Sequence, residues 1–321
     1  MDKSEEISEL EEPNSSEKID NPPVIKHLIL PGGGITGLVA YGALKEAHEN
    51  GLWNIDNIES IYGTSAGAIV AVILALKYEW KIVDEYIIRR PWHQICDFNM
   101  YALIESITKR GIFDIRIIRE MFSPLFKGLD LSVDITMAEF YEWSKIDLHV
   151  FSSEINVFEL VDISHKTHPD WTVIEAVYAS ACLPILFSPF LKDGKYYADG
   201  GFFLNYPLKP CLTCGNDPKE ILSVCKRDYK KMQIGLSEDG SLFDYILIIF
   251  NKMLQNVLML GDNETHIDNE IVIKCPLVSI YDLYVMVSSS ENRTKWIENG
   301  INATREFLKK QQGEDLSGTV N

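Results

Sequence analysis

No apolar run in this sequence is long enough to cross a bilayer. The longest, Ala68–Leu76, falls well short of the roughly 18 unbroken apolar residues a membrane-spanning helix needs. Basic side chains are scarce as well: 30 Lys+Arg face 47 Asp+Glu, for a net charge of −17. Nucleic acid is therefore excluded as a partner, because phosphate contacts require clustered Lys and Arg. The same balance disfavours electrostatic docking on anionic lipid. Cysteine is thinly scattered, with 6 in 321 residues, which fits a reducing compartment better than a disulfide framework. Only Cys211 and Cys214 have ligand-like spacing, and no second CxxC or His pair completes a zinc site, so no metal or other cofactor is expected. The acidic N-terminus lacks the apolar core of a secretory signal. The expected setting is intracellular, either cytoplasmic or peripherally membrane-associated.

The remaining composition is that of a globular protein, with 46% hydrophobic residues to build a core. Residues 1–23 are set apart as an acidic tail that cannot offset its own ordering entropy. Order is expected from the apolar run Val24–Leu30, which stops at Pro31-Gly32-Gly33-Gly34. Leu38, Tyr41, Leu44 and Ala47 then recur at helical spacing. A second apolar run, Ile58–Tyr62, ends at Gly63-Thr64-Ser65-Ala66-Gly67 and passes directly into the helical stretch Ala68–Lys77. Two strand–glycine–helix units in succession predict an α/β fold with a largely parallel sheet. Further along, Thr136 and Glu139 form a capping-box pattern, Ile146–Ser152 and Val157–Ile163 form an adjacent strand pair, and a helix covers Val173–Ala181. An apolar stripe on Leu242–Leu260 (Phe243, Ile246, Phe250, Met253, Val257, Leu260) suits either a core or an interfacial contact. A last amphipathic helix covers Ser290–Lys310.

Gly63 to Gly67 is a Gly-x-Ser-x-Gly pentapeptide set between a strand and a helix, where a tight turn exposes the Ser65 hydroxyl and a helix N-terminus favours developing negative charge. Gly32-x-Gly34-x-x-Gly37 follows the first strand. It fits a dinucleotide loop, a purely structural turn, or an oxyanion hole of backbone N–H groups. The nucleophile candidate on the next strand favours the last. No histidine has an evident catalytic setting. Asp199, at a strand end before Gly200 and Gly201, could serve as base if burial raises its basicity.

Four elements in this order resemble the patatin-like phospholipases: Gly32–Gly37, Gly63–Gly67, Ala179-Ser-Ala-Cys-Leu-Pro184, and Asp199-Gly200-Gly201 with Asn205-Tyr-Pro207. The match runs from about His27 to Pro210. The resemblance implies a three-layer α/β/α sandwich with a mostly parallel central sheet. Within it, Ser65 and Asp199 would form a catalytic dyad and Gly32, Gly33 and Gly34 an oxyanion hole. It further implies hydrolysis of a lipid ester taken from a transient membrane or lipid-aggregate surface, with no metal or nucleotide. The family's usual Arg or Lys in the glycine motif is replaced here by Thr36, which shifts the expectation from anionic phospholipid toward a neutral ester. Three rivals stay open: an acyltransferase using the same dyad, a non-catalytic interaction protein, and a nucleotide-binding oxidoreductase; a protein activator is a further candidate partner. The domain plan is a tail over 1–23, a catalytic domain over 24–212 and a mainly helical extension over 213–321 packed on it.

Overall fold

The computed structural model describes residues 23–96, 108–226, 266–274 and 280–313, together with Tyr245, Ile248, Ile249, Lys252 and Met253. The expected tail, apart from Pro23, lies outside these residues. So does most of the stripe over 242–260, of which Met253 is described and exposed.

The central sheet begins with β1 (His27–Leu30) and β2 (Ser60–Thr64). They are parallel, with His27 opposite Ser60 and Leu30 opposite Gly63. Between them α1 (Thr36–Glu49) makes the crossover. After β2 the chain turns at once into α2 (Ala66–Ala75), then α3 (Trp80–Arg89). A short strand β3 (Gly111–Phe113) leads to α4 (Arg116–Lys127) and α5 (Met137–Ser144). The Thr136 capping box forms as expected, with the Glu139 N–H donating to Thr136 Oγ1 and the Thr136 N–H to Glu139 Oε2.

Next come β4 (Asp147–Glu154), β5 (Glu159–Ile163), α6 (Val173–Ala181), β6 (Ile185–Phe187), β7 (Phe190–Lys192) and β8 (Lys195–Asp199). A short α7 (Leu208–Thr213) precedes β9 (Ile221–Lys226). Strand β10 (Glu270–Ile273) and helices α8 (Ile280–Ser288) and α9 (Ser290–Gln311) complete the described chain.

The sheet order is β10-β9-β1-β2-β4-β8-β7, with β5 beside β4. The first five of these strands are mutually parallel, while β5, β7 and β8 pair antiparallel, which gives the mostly parallel sheet the sequence predicts. After residue 213 the described chain supplies α8 and α9, and also β9 and β10, two strands of the same sheet. That contribution is absent from the sequence-based plan. Strands β3 and β6 form a separate parallel pair.

Alternate residues of the central strands reach opposite cores. Leu28, Leu30, Ile61, Leu222 and Val224 join the larger core under α1, α2 and α6. Ile29, Tyr62, Ile221 and Cys225 join a smaller one under α7. Burial on both faces explains why these strands read as unbroken apolar runs rather than alternating ones.

The C-terminal helix α9 lies almost backbone-to-backbone on α1. A Cβ on Gly300 would stand 1.9 Å from the Val39 carbonyl oxygen, and one on Gly42 would stand 2.1 Å from that of Ile297. Thr304 Oγ1 donates to the Ala43 carbonyl at 2.8 Å and tightens the contact. Arg293, itself buried, donates to the carbonyls of Ile88 and Arg90 at the end of α3 and of Met286 and Val287 in α8. These acceptors sit at helix C-termini, where backbone carbonyls lack intrahelical partners and a cation is favoured.

Candidate active site

Strand β4 has one edge covered by β5 along Val150–Glu154. Its other edge is shared. Strand β2 pairs with Asp147–Phe151, ending with Thr64 opposite Phe151, and β8 pairs with Ser152–Glu154, ending with Asp199 opposite Ser152. Because β2 and β8 run toward each other, their C-terminal ends meet head to head at neighbouring positions of β4. The residue after Thr64 is Ser65.

The turn at Ser65 is tight. Ser65 has φ 53° and ψ −121°, a region that side-chain-bearing residues seldom adopt. It is held there by its own N–H, which donates to Ser180 Oγ at 2.8 Å, while that hydroxyl donates to the Phe151 carbonyl at 2.5 Å. The flanking glycines make the turn sterically possible. A Cβ on Gly63 would lie 2.7 Å from the Gly67 carbonyl oxygen, and one on Gly67 would lie 2.4 Å from that of Leu30. Gly37 packs similarly on Ala66, at 3.1 Å between Cβ positions.

Ser65 Oγ donates to Asp199 Oδ2 at 2.6 Å. The other carboxylate oxygen accepts the Gly201 N–H at 2.8 Å, and the Asp199 carbonyl accepts from Ser153 Oγ at 2.8 Å. Gly200 lets β8 close on β4, since a Cβ there would stand 2.1 Å from the Phe151 carbonyl oxygen. Both members of the pair are buried, Ser65 at 9% and Asp199 at 5% exposure. Burial lifts the Asp199 carboxyl from its ordinary value of 3.8 to about 6, against the opposing pull of the hydrogen bonds from Ser65 and Gly201. A carboxylate near neutrality, already receiving a hydroxyl proton, is suited to act as a base. The neighbouring Cys182 thiol is pushed the same way, well above its usual range by burial, so it stays protonated and is a poor competing nucleophile.

The glycine loop closes over the pair. A Cβ on Gly32 would lie 3.1 Å from Ser65 Cβ and 2.6 Å from Asn205 Oδ1. Gly33 and Gly34 both take positive φ, 123° and 60°. The Gly32 N–H is committed to the Asn205 carbonyl at 2.9 Å, so of the three glycines expected to donate to an oxyanion, Gly32 is engaged elsewhere. Gly34 and Ala66 line the cavity of about 160 Å³ that also contains Ser65 and Asp199. The rest of its wall is apolar, including Ile69, Phe113, Met121, Leu186 and Phe187.

Every residue named from the sequence for this site thus falls in one place. What sequence reading missed are the supports: Ser180, which holds the Ser65 N–H, and Asn205, which ties down Gly32. Both stand inside motifs quoted above, but their partners are far away in sequence. The wall residues Met286 and Val287 also went unmarked, because they come from α8, beyond the motifs.

Residues 28–212 match the sequence profile of the patatin-like phospholipases. Among individual relatives, protein R571 of Acanthamoeba polyphaga mimivirus is 24% identical over 270 residues, covering 81% of this chain and 86% of that protein. The "Probable lipid hydrolase 463L" of Invertebrate iridescent virus 6 is 27% identical over 198 residues, covering 61% of this chain and 66% of that one. Among solved structures, VipD from Legionella pneumophila superposes with a TM-score of 0.53 at 19% identity, covering 90% of this chain and 67% of VipD, a likeness of fold. With its profile match spanning more than half of its length, this chain belongs to the patatin-like phospholipase family.

Proposed function

We propose that the protein hydrolyses lipid acyl esters through Ser65 and Asp199. The observation that carries this reading is the 2.6 Å hydrogen bond from Ser65 Oγ to a buried carboxylate at the head of an apolar cavity. Ser65 Oγ attacks the ester carbonyl carbon as its proton passes to Asp199 Oδ2. The oxyanion is met by the N–H groups of Gly33, Gly34 and Ala66, with the N-terminus of α2 adding favourable potential. Collapse of the tetrahedral intermediate expels the alcohol, which takes the proton from Asp199, and leaves an acyl group on Ser65. Asp199 then draws a proton from water, hydroxide adds to the acyl carbon, and the fatty acid departs as the proton returns to Ser65. The relative named as a lipid hydrolase and the family as a whole support an acyl ester as substrate. The chain's net charge of −17 suits a neutral or zwitterionic lipid better than an anionic one.

A fluorophosphonate probe tests the reading. Wild-type protein should be labelled, Ser65→Ala should not be, and Asp199→Asn should be labelled far more slowly. Labelling that persists in folded Ser65→Ala protein would refute the assignment.

A further inference from the structure

The cavity holding Ser65 does not end at the dyad. A second chamber of about 140 Å³ lies beside it, and Gly34, Ala66, Ile69, Met121 and Met286 are walls of both. The lining of the second chamber is almost entirely hydrocarbon, from residues such as Val70, Ile73 and Trp92. An apolar cleft continuous with the wall around Ser65 suits a hydrocarbon ligand.

Helix α2 connects the two. Ala66, Ile69, Val70 and Ile73 stand at i, i+3, i+4 and i+7, so they share one face and form a strip about 10 Å long leading away from the Ser65 turn. Ala66 and Ile69 are on the near chamber, whereas Val70 and Ile73 are on the far one only. The outer wall of both is Met286 and Val287 of α8, whose carbonyls Arg293 ties to the end of α3. That wall comes from chain beyond the 28–212 match.

We infer that the far chamber receives the distal half of a single unbranched acyl chain laid along α2, so that Val70 sets chain-length selectivity and α8 closes the chain in. This rests on the hydrolase reading above. An apolar cavity of about 150 Å³ takes a benzene-sized ligand, so two such chambers in series match an acyl chain of about a dozen carbons. The far chamber's almost purely hydrocarbon lining offers no partner to a headgroup. The polar end of the substrate therefore stays at the glycine loop, where the ester meets Ser65.

The test compares kcat/KM for p-nitrophenyl butyrate and p-nitrophenyl dodecanoate in wild type, Val70→Phe and Val70→Ala, with circular dichroism to establish folding. The dodecanoate-to-butyrate ratio should fall by about tenfold or more in Val70→Phe, the scale of two methylenes losing their burial. It should not fall in Val70→Ala. Dodecanoic acid binding, read by tryptophan fluorescence, should be lost in Val70→Phe as well. Ester turnover with a ratio unchanged by Val70→Phe would overturn the placement of the chain and leave the hydrolase reading standing. If no ester is turned over yet dodecanoic acid binds wild type and not Val70→Phe, the hydrolase reading fails and the chamber assignment stands. Neither turnover nor binding would overturn both.

Discussion

Asp199 faces Ser152 while Ser65 follows the residue that faces Phe151, so the two side chains are aligned by consecutive positions of a single strand. The 134 residues separating Ser65 from Asp199 in sequence do not weaken that alignment, because each is the end of a strand hydrogen-bonded to β4. The Gly201 N–H and Ser153 hydroxyl already hold Asp199 from its two other sides.

Catalysis should fail on the acid side as Asp199 takes up a proton. With its carboxyl lifted to about 6 by burial, kcat/KM should fall about tenfold per pH unit below that value. Asp199→Asn should lower kcat/KM by about 10²–10⁴ and abolish this acid limb. Stability should move in the opposite sense. A carboxyl whose folded value exceeds its ordinary 3.8 favours the protonated native state. Its stabilising contribution is complete below about pH 4 and lost as pH rises through about 6. Thermal melts of wild type and Asp199→Asn across this range should converge at low pH and separate, with the variant more stable, near pH 8.

Ser180→Ala should damage the nucleophile without touching substrate. It leaves the Ser65 N–H and the Phe151 carbonyl, both buried, without their shared partner. The expected stability cost is about 1–3 kcal/mol. Because the unusual backbone at Ser65 loses its restraint, kcat should fall by more than KM rises. Steady-state kinetics beside a denaturant titration checks this, and an unchanged kcat in destabilised protein would count against the role given to Ser180.

Gly32→Ala should separate activity from stability. The added methyl would press on Ser65 Cβ at 3.1 Å and on the Asn205 amide at 2.6 Å. The Asn205 side chain can give way, but the backbone at the Ser65 turn cannot move without disturbing the dyad. A loss of about tenfold or more in kcat/KM is expected, with a melting temperature reduced by only a few degrees.

Gly300→Ala should do the reverse. Alanine is favoured over glycine in a helix by about 1 kcal/mol, yet here its Cβ would fall 1.9 Å from the Val39 carbonyl oxygen. Helix α9 must shift, and overpacking of about 1–3 kcal/mol or more outweighs the gain in propensity. A lower melting temperature is expected, with butyrate ester turnover per folded molecule less affected than turnover of the dodecanoate ester, whose chamber α8 encloses.

The sequence by itself determined whatever depends on neighbours a few residues apart. Helix α6 has the bounds its periodicity predicts, and the Thr136–Glu139 capping box closes as written. The strand–glycine–helix units at Gly32 and Gly63 follow from short apolar runs stopped by residues that only a tight turn requires. The candidate nucleophile, base and glycines were legible for the same reason, helped by the family resemblance of the four motifs. Tertiary structure decided what depends on distant chain. The apolar run of β9 gives no sign that it pairs beside β1, and β10 reaches the sheet only through β9. Nothing near Ser180 points to a backbone N–H 115 residues away. Likewise, the Arg293 latch exists only once α8 and α3 end side by side. Local patterns fix which segments form strands and helices, but the burial of both sheet faces and the pairing of backbone groups across the fold select which segments meet. Here that selection brings two strand ends together on β4 and makes the Ser65–Asp199 pair.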